Sequence, residues 1–166
     1  MGRQRRVSGA TTHVIGLIAD THGMVRASVF DALAGVELIL HAGDVGPDAV
    51  LTELEIIAPV RAVYGNTDRP GNPRHEPELV LEIGGVSIHV SHGHEVGSPT
   101  PARLLAAYPQ RVLVYGHTHR QLVTEADGRL VINPGAAGAR RFDLVPSVAT
   151  LTIVNGHVST RIIPLG

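Results

Sequence analysis

The chain has 166 residues, 43% of them hydrophobic, with 19 glycines and 11 prolines, which fits one globular, turn-rich domain and not a disordered polymer. Its 14 basic and 15 acidic residues leave a net charge of -1, without the electrostatic footprint of a polyanion binder, so no nucleic acid is expected as a partner. Zero cysteine excludes disulfides, a thiolate nucleophile and Cys-based metal sites, leaving histidine and oxygen donors as the only metal ligands.

In chain order, residues 1–12 open as Met1-Gly-Arg-Gln-Arg-Arg6 with no apolar segment behind the charges, and read as a flexible N-terminal tail before a single domain over 13–166. No apolar run reaches the roughly 20 residues of a membrane span, so no membrane partner is expected and the chain reads as cytoplasmic. Val14 to Ala19 is short, apolar and β-branched, predicting a strand, and Val25, Val29, Ala32 and Leu33 then recur at helical spacing. Glu37 to His41 and Val60 to Tyr64 read as strands, with a helix from Pro47 to Ile57 between them. A β-α-β-α-β order implies parallel strands with right-handed crossovers.

The second half is richer in hairpins. Gly84-Gly85 separates Leu79–Ile83 from Val86–Val90, Asp127-Gly128 divides Leu122 to Ile132, and Asn155-Gly156 divides Val148–Val154 from Val158–Ile163. A helix over Pro101–Tyr108 and a strand over Arg111–Tyr115 interrupt them, and Arg69 to Pro77 is the one long polar loop. A parallel half joined to a strand-rich half suggests two packed sheets with helices outside.

Five of the apolar runs end in a polar block: Asp20-Thr-His22, Gly43-Asp44, Gly65-Asn66-Thr67-Asp68, His92-Gly-His94 and Gly116-His117-Thr-His119. Ligands of open α/β sheets bind beyond the carboxyl ends of strands, so the blocks can converge on one site. The i, i+2 pairs would project to one face of an extended segment, and the glycines permit sharp turns beside them. Alone, each block reads blandly, as a helix cap, a turn or a chance histidine pair. Jointly, with five of the ten histidines inside them, they read as a metal site. His13, His75, His89 and His157 read as exposed or packed histidines.

So many donors exceed the needs of one ion. A mixed N/O set favours a borderline divalent metal, Mn²⁺ first, with Ni²⁺, Fe, Zn²⁺ or Mg²⁺ as alternatives. Two such ions about 3.5–4 Å apart, bridged by a carboxylate and a water, bind phosphoryl oxygens and generate hydroxide for in-line attack, and Asp44 is the candidate bridge.

Asp-x-His, Gly-Asp, Gly-Asn-x-Asp, His-Gly-His and Gly-His-x-His in this order resemble the calcineurin-like metallophosphoesterases, in particular their small bacterial and archaeal phosphodiesterase branch, over about residues 14 to 163. The resemblance implies a four-layer α/β/β/α sandwich of two mixed sheets flanked by helices. It also implies that Asp20, His22 and His119 hold one metal, that Asn66, His92 and His117 hold the other, and that Asp44 bridges. Asn133-Pro-Gly135 resembles the turn that closes the family's site, and the following loop with Arg140 is expected to meet substrate, as are Thr67 and Asp68.

Where the family's phosphatases commonly carry a histidine after Gly-Asn, this chain has Thr67, a poor general acid, so a phosphodiester or an activated monoester is the expected substrate, with His94 as the candidate proton donor. Asp44, Asn66 and His94 are the expected catalytic residues. A non-catalytic protein–protein scaffold is the alternative, since a retromer subunit shares the fold, but every ligand position here carries a competent donor. A nuclease would need a strand-binding surface that the charge disfavours. A homo-oligomer is possible on sequence grounds.

Overall fold

The computed structural model describes residues 11–141 and 143–166, so the first ten residues of the expected tail lie outside the described residues. β1 (Thr12–Ile18) alternates, with Ile15 and Leu17 on one face and Gly16 and Ile18 on the other. The chain then runs through α1 (Ser28–Ala32), β2 (Leu38–His41), α2 (Ala49–Leu54), β3 (Val60–Val63) and β4 (His75–Glu76). Next come β5 (Leu79–Ile83), β6 (Val86–Val90), a 3-10 turn (His94–Val96) and α3 (Pro101–Ala107). β7 (Val112–Val114), β8 (Leu122–Ala126), β9 (Arg129–Asn133), β10 (Ser147–Val154) and β11 (His157–Pro164) complete it.

Both early helices are shorter than their periodicity predicts, and a two-residue strand, β4, forms inside the long polar loop by pairing His75 with Ala62. The three hairpins form at the predicted glycine turns, with Leu79 opposite Val90, Leu122 opposite Asn133 and Val154 opposite His157.

The strands make two mixed sheets, ordered β11-β10-β1-β2-β3-β4 and β5-β6-β7-β9-β8. They are not the two halves of the sequence. The C-terminal hairpin returns to the first sheet, where β10 runs antiparallel to β1. β10 buries Val148 on one face and Ala149, Leu151 and Ile153 on the other, as a strand inside a sheet must, and so covers the edge that β1 would expose.

Between the sheets, Leu17, Leu40 and Val63 pack against Ile88, Val90, Val114 and Ile132. Outside the first sheet, Val29 and Leu33 with Val50 and Leu54 cover Ile18 and Ile39; outside the second, Leu104 covers Leu113, Tyr115 and Val131. The result is the α/β/β/α sandwich. β1, β2 and β3 are parallel in one sheet and β6, β7 and β9 in the other, so the segments after their carboxyl ends gather at one edge of the sandwich.

Candidate metal centre

All five polar blocks follow parallel strands: Asp20 and His22 after β1, Asp44 after β2, Asn66 after β3, His92 after β6, His117 and His119 after β7. Two clusters of donor atoms form there. Asp20, His22 and His119 offer one atom each within 4.8 Å of one another, and Asp20, Asp44 and His92 do the same. The His22 and His119 Nε2 atoms are 3.4 Å apart, with His119 Nε2 at 3.5 Å from Asp20 Oδ1. Asp44 Oδ2 lies between the groups, 3.7 Å from His22 Nε2 and 3.3 Å from His92 Nε2. Asn66 Oδ1 lies 3.0 Å from His92 Nε2 and 3.1 Å from His117 Nδ1.

The donor set fits cations and little else. His92 Nδ1 lies 2.8 Å from the Ala42 carbonyl, which only accepts, so the ring proton sits on Nδ1 and the Nε2 lone pair faces outward. It faces three further acceptors, on Asn66, Asp44 and, at 3.9 Å, Asp20. Asp20 is fully buried, and its Oδ2 accepts the His117 backbone N–H while its Oδ1 has no partner. An acceptor cluster of this kind requires a proton or a metal ion at its centre.

The electrostatics agree. Burial opposes ionisation of both Asp44 and His92, yet in the metal-free protein a proton on His92 Nε2, donated to Asp44, and the Thr67 N–H hold Asp44 well below the ordinary carboxylate range, while Asp44 and Asp20 raise His92. Burial lowers His22 and His117 against the opposing pull of Asp44 and Asp20, with Arg141 and His119 adding to burial at His22 and the His92 charge adding to it at His117, so these imidazoles stay neutral and available as ligands.

The backbone reaches this geometry by a route the sequence pattern does not show. The i, i+2 pairs were expected to share a face by being extended; instead Asp20, His22, Asp44, His117 and His119 all have positive φ, between 47° and 71°. The remaining two positive-φ non-glycine residues described, Asp127 and Asn155, sit in hairpin turns. Left-handed backbone costs a non-glycine residue about 1–2 kcal/mol, and its concentration at these loops marks them as held in place by what surrounds them.

What holds them is a set of braces. Asp68, expected at the substrate, lines the cavity beside Thr67 and braces the protein as well: its carboxylate accepts the backbone N–H groups of Val45, Gly46 and Gly65 at 2.9–3.1 Å, tying the Asp44 and Asn66 loops together. Thr67 donates its backbone N–H to Asp44 Oδ1 at 3.0 Å and is exposed at the mouth of a cavity of about 370 Å³. Asn133 donates to the Gly116 carbonyl and the Thr118 hydroxyl, fixing the loop of His117 and His119. Glu95 accepts the Gly93 N–H and the Tyr108 hydroxyl at 2.8 Å each, bracing the loop of His92 and His94. His94 packs its ring 5.3 Å from that of His92 and 6.4 Å from that of His117, at the margin of the cluster. Arg140 is exposed beside a cleft that it shares with His119 and Pro146.

His41 is the brace that sequence reasoning missed. It lies on the helix-covered face of β2, wholly buried, and accepts the Gly43 N–H on Nδ1 at 3.1 Å. Its Nε2–H therefore donates to the Thr21 hydroxyl at 2.9 Å, which donates onward to the Val45 carbonyl at 2.8 Å, linking the Asp20 and Asp44 loops. Burial lowers its pKa to about 3. Because the unfolded chain would bind this proton near pH 6.5, stability contributed by the neutral ring is complete above that pH and is lost on acidification toward 3, at about 1.4 kcal/mol per unit. Urea unfolding of chelated protein between pH 7 and 5 should show this slope, reduced by about one proton in His41→Gln; an unchanged slope would remove His41 as its source.

Residues 14–156 match the family model described as the calcineurin-like phosphoesterase superfamily domain. A probable metallophosphoesterase of Methanothermobacter thermautotrophicus is 38% identical over 161 residues, covering 92% of this chain and 93% of its own length. A phosphodiesterase of Methanocaldococcus jannaschii is 30% identical over 139 residues, 73% of this chain and 82% of that one. Among solved structures, vacuolar protein sorting 29 from Cryptosporidium parvum superposes with a TM-score of 0.77 at 23% identity, covering 93% of this chain and 98% of its own, a likeness of fold alone.

Proposed function

The chain belongs to the calcineurin-like phosphoesterase superfamily, and on that premise we propose that it hydrolyses a small phosphodiester or an activated phosphate monoester at a centre of two divalent cations, Mn²⁺ foremost. The observation that carries this is the convergence of His92 Nε2, Asp44 Oδ2, Asn66 Oδ1 and the unpartnered Asp20 Oδ1, acceptors that face one another within 3.0–3.9 Å in pairs about His92 Nε2. Asp20, His22 and His119 are assigned to one ion, Asn66, His92 and His117 to the other, and Asp44 to both. When bound, such ions neutralise phosphoryl oxygens and lower the pKa of a water to the point where it attacks at neutral pH.

The protein's own contribution is to position and to exclude. The Thr67 N–H fixes the Asp44 carboxylate, the Ala42 carbonyl fixes the His92 tautomer, and the His41 and Asp68 braces prevent the loops from relaxing apart. Asn66 and Thr67 are exposed, so the substrate approaches over the end of β3, and Arg140 borders it from the His119 side. With Thr67 unable to donate a proton of suitable acidity, His94 is assigned the role of protonating a departing alkoxide, while a nitrophenolate needs no such help.

Protein stripped with chelator should be inert toward bis(p-nitrophenyl) phosphate and regain turnover with Mn²⁺, carrying two ions per chain by native mass spectrometry. Inactivity with every common divalent metal would sink the proposal, and absence of bound metal would favour the scaffold. His94→Ala should spare nitrophenyl esters and depress esters with alkyl leaving groups by roughly 10²-fold or more; equal turnover of both by the variant would exclude His94 as the acid. No helix among the described residues is long and apolar enough to cross a membrane, and a small phosphate ester is the proposed partner, taken up from solution.

A further inference from the structure

Arg120, Arg140 and Arg141 border the centre on the side of His119. Most arginine side chains of the described residues are engaged: Arg26, Arg103, Arg111 and Arg129 donate to backbone carbonyls, and Arg61 and Arg74 pair with Glu76 and Glu55. Arg69, Arg120, Arg140, Arg141 and Arg161 are exposed, and among the described residues their guanidinium groups make no hydrogen bond or ion pair. Arg120 and Arg141 are the two of these that come together beside both His117 and His119. They line one cavity of about 190 Å³ together with His117, Thr118, His119 and Leu144, so it opens directly beside two of the proposed metal ligands. Arg141 lies near enough for its charge to bear on the His22 imidazole.

Such an arrangement is not needed for the scissile phosphoryl group, whose charge the cations would already neutralise. Two free guanidinium groups are, however, the preferred recognition element for a further phosphoryl group, since each presents a planar fork of donors that matches it bidentately. The next cavity along, about 360 Å³ and lined by His119, Arg120, Gln121, Asp143, Leu144 and Val145, supplies an apolar wall, with Val145 46% exposed, against which the organic part of a substrate can lie. The opposite cavity, beyond Thr67, is lined by Asp48 and Asp68 as well as Arg69 and is less suited to an anion.

We infer that Arg120 and Arg141 form a subsite for a second phosphoryl group, so that the preferred substrate is an ester carrying another phosphate besides the one attacked. The inference rests on the proposed hydrolysis for its substrate, and on these two side chains alone for its binding step, and the two can fail separately.

Binding of thymidine 3′,5′-bisphosphate and of thymidine 5′-monophosphate to the Mn²⁺-loaded protein, read by calorimetry, is the first arm. The bisphosphate is expected to bind at least tenfold tighter, and Arg120→Ala/Arg141→Ala should remove that advantage while changing monophosphate affinity by less than about threefold. In the second arm, the 5′-(p-nitrophenyl) ester of thymidine 5′-phosphate is hydrolysed with and without a 3′-phosphate. The leaving group and reacting diester are identical, so a higher kcat/KM for the 3′-phosphorylated ester, made mostly in KM, steeper in salt and lost in the double variant, reports the subsite. Equal affinities for the two nucleotides, or an advantage that survives both substitutions, overturns the inference. An arginine-dependent advantage in binding with neither ester hydrolysed upholds the subsite and refutes the hydrolytic function instead.

Discussion

Asp44→Asn is expected to reduce Mn²⁺-dependent hydrolysis of bis(p-nitrophenyl) phosphate by about 10³-fold or more, some 4 kcal/mol of transition-state stabilisation, without unfolding the protein. The substitution keeps the shape of the side chain, and the amide oxygen can still accept the Thr67 N–H that now bonds Asp44 Oδ1 at 3.0 Å. What changes is the other limb, where Oδ2 faces the Nε2 atoms of His92 and His22 at 3.3 and 3.7 Å. There an amide nitrogen presents donors to imidazole lone pairs, satisfying in the metal-free protein an acceptor cluster that the wild type can satisfy only with a proton or a cation. The variant should therefore match or exceed the wild type in thermal stability in chelator. Its loss appears on adding Mn²⁺, which raises the melting temperature of the wild type by mass action and should leave that of the variant almost unmoved. Retention of a Mn²⁺-induced shift, or of activity within tenfold, would show that Asp44 does not bridge.

This opposition between metal-free stability and function also explains which features were legible in the sequence. The hairpins were, because Gly84-Gly85, Asp127-Gly128 and Asn155-Gly156 are local turn signals, and each has positive φ at its turn residues. The donors were, because chemistry restricts them to a few residue types and each follows an apolar strand. The return of β10 to pair with β1 was not, since pairing across more than 130 residues of intervening chain leaves no local trace. Nor were the left-handed turns at Asp20, His22, Asp44, His117 and His119, where local preference is overruled by the loops packed around them. Asp68 and His41 illustrate the same limit from the side of chemistry. Both carry residue types that sequence reasoning assigns to ligands or substrates or passes over, and both spend their hydrogen bonds on backbone amides and a buried hydroxyl, a choice made only by the three-dimensional neighbourhood.

The density of that neighbourhood leads to the second large effect. Gly65 closes β3 against the Asp44 loop so tightly that a Cβ built on it would stand 2.0 Å from Asp44 Oδ1 and 2.4 Å from the Asp44 backbone nitrogen. Neither obstacle is the end of a flexible side chain: Asp44 Oδ1 is held by the Thr67 N–H, and the loop by the Asp68 carboxylate, which also accepts the Gly65 N–H itself. In Gly65→Ala the end of β3 must move away, taking with it Asn66 and Thr67. Overpacking of this kind costs about 3 kcal/mol, or roughly 6–12 °C in melting temperature for a domain of this size. A displacement of even 1 Å at Asn66 costs on the order of 10²-fold in activity, together with weakened binding of the second ion. Gly128→Ala is the control: Gly128, unlike Gly65, has positive φ, +74°, but a Cβ there meets nothing within 4 Å. It should cost only the roughly 1 kcal/mol of left-handed strain and leave turnover and metal content intact. Wild-type stability and two bound ions in Gly65→Ala would mean that the Asn66 and Asp44 loops can part without loss, and that the close packing of backbone against bridge is not what assembles the centre.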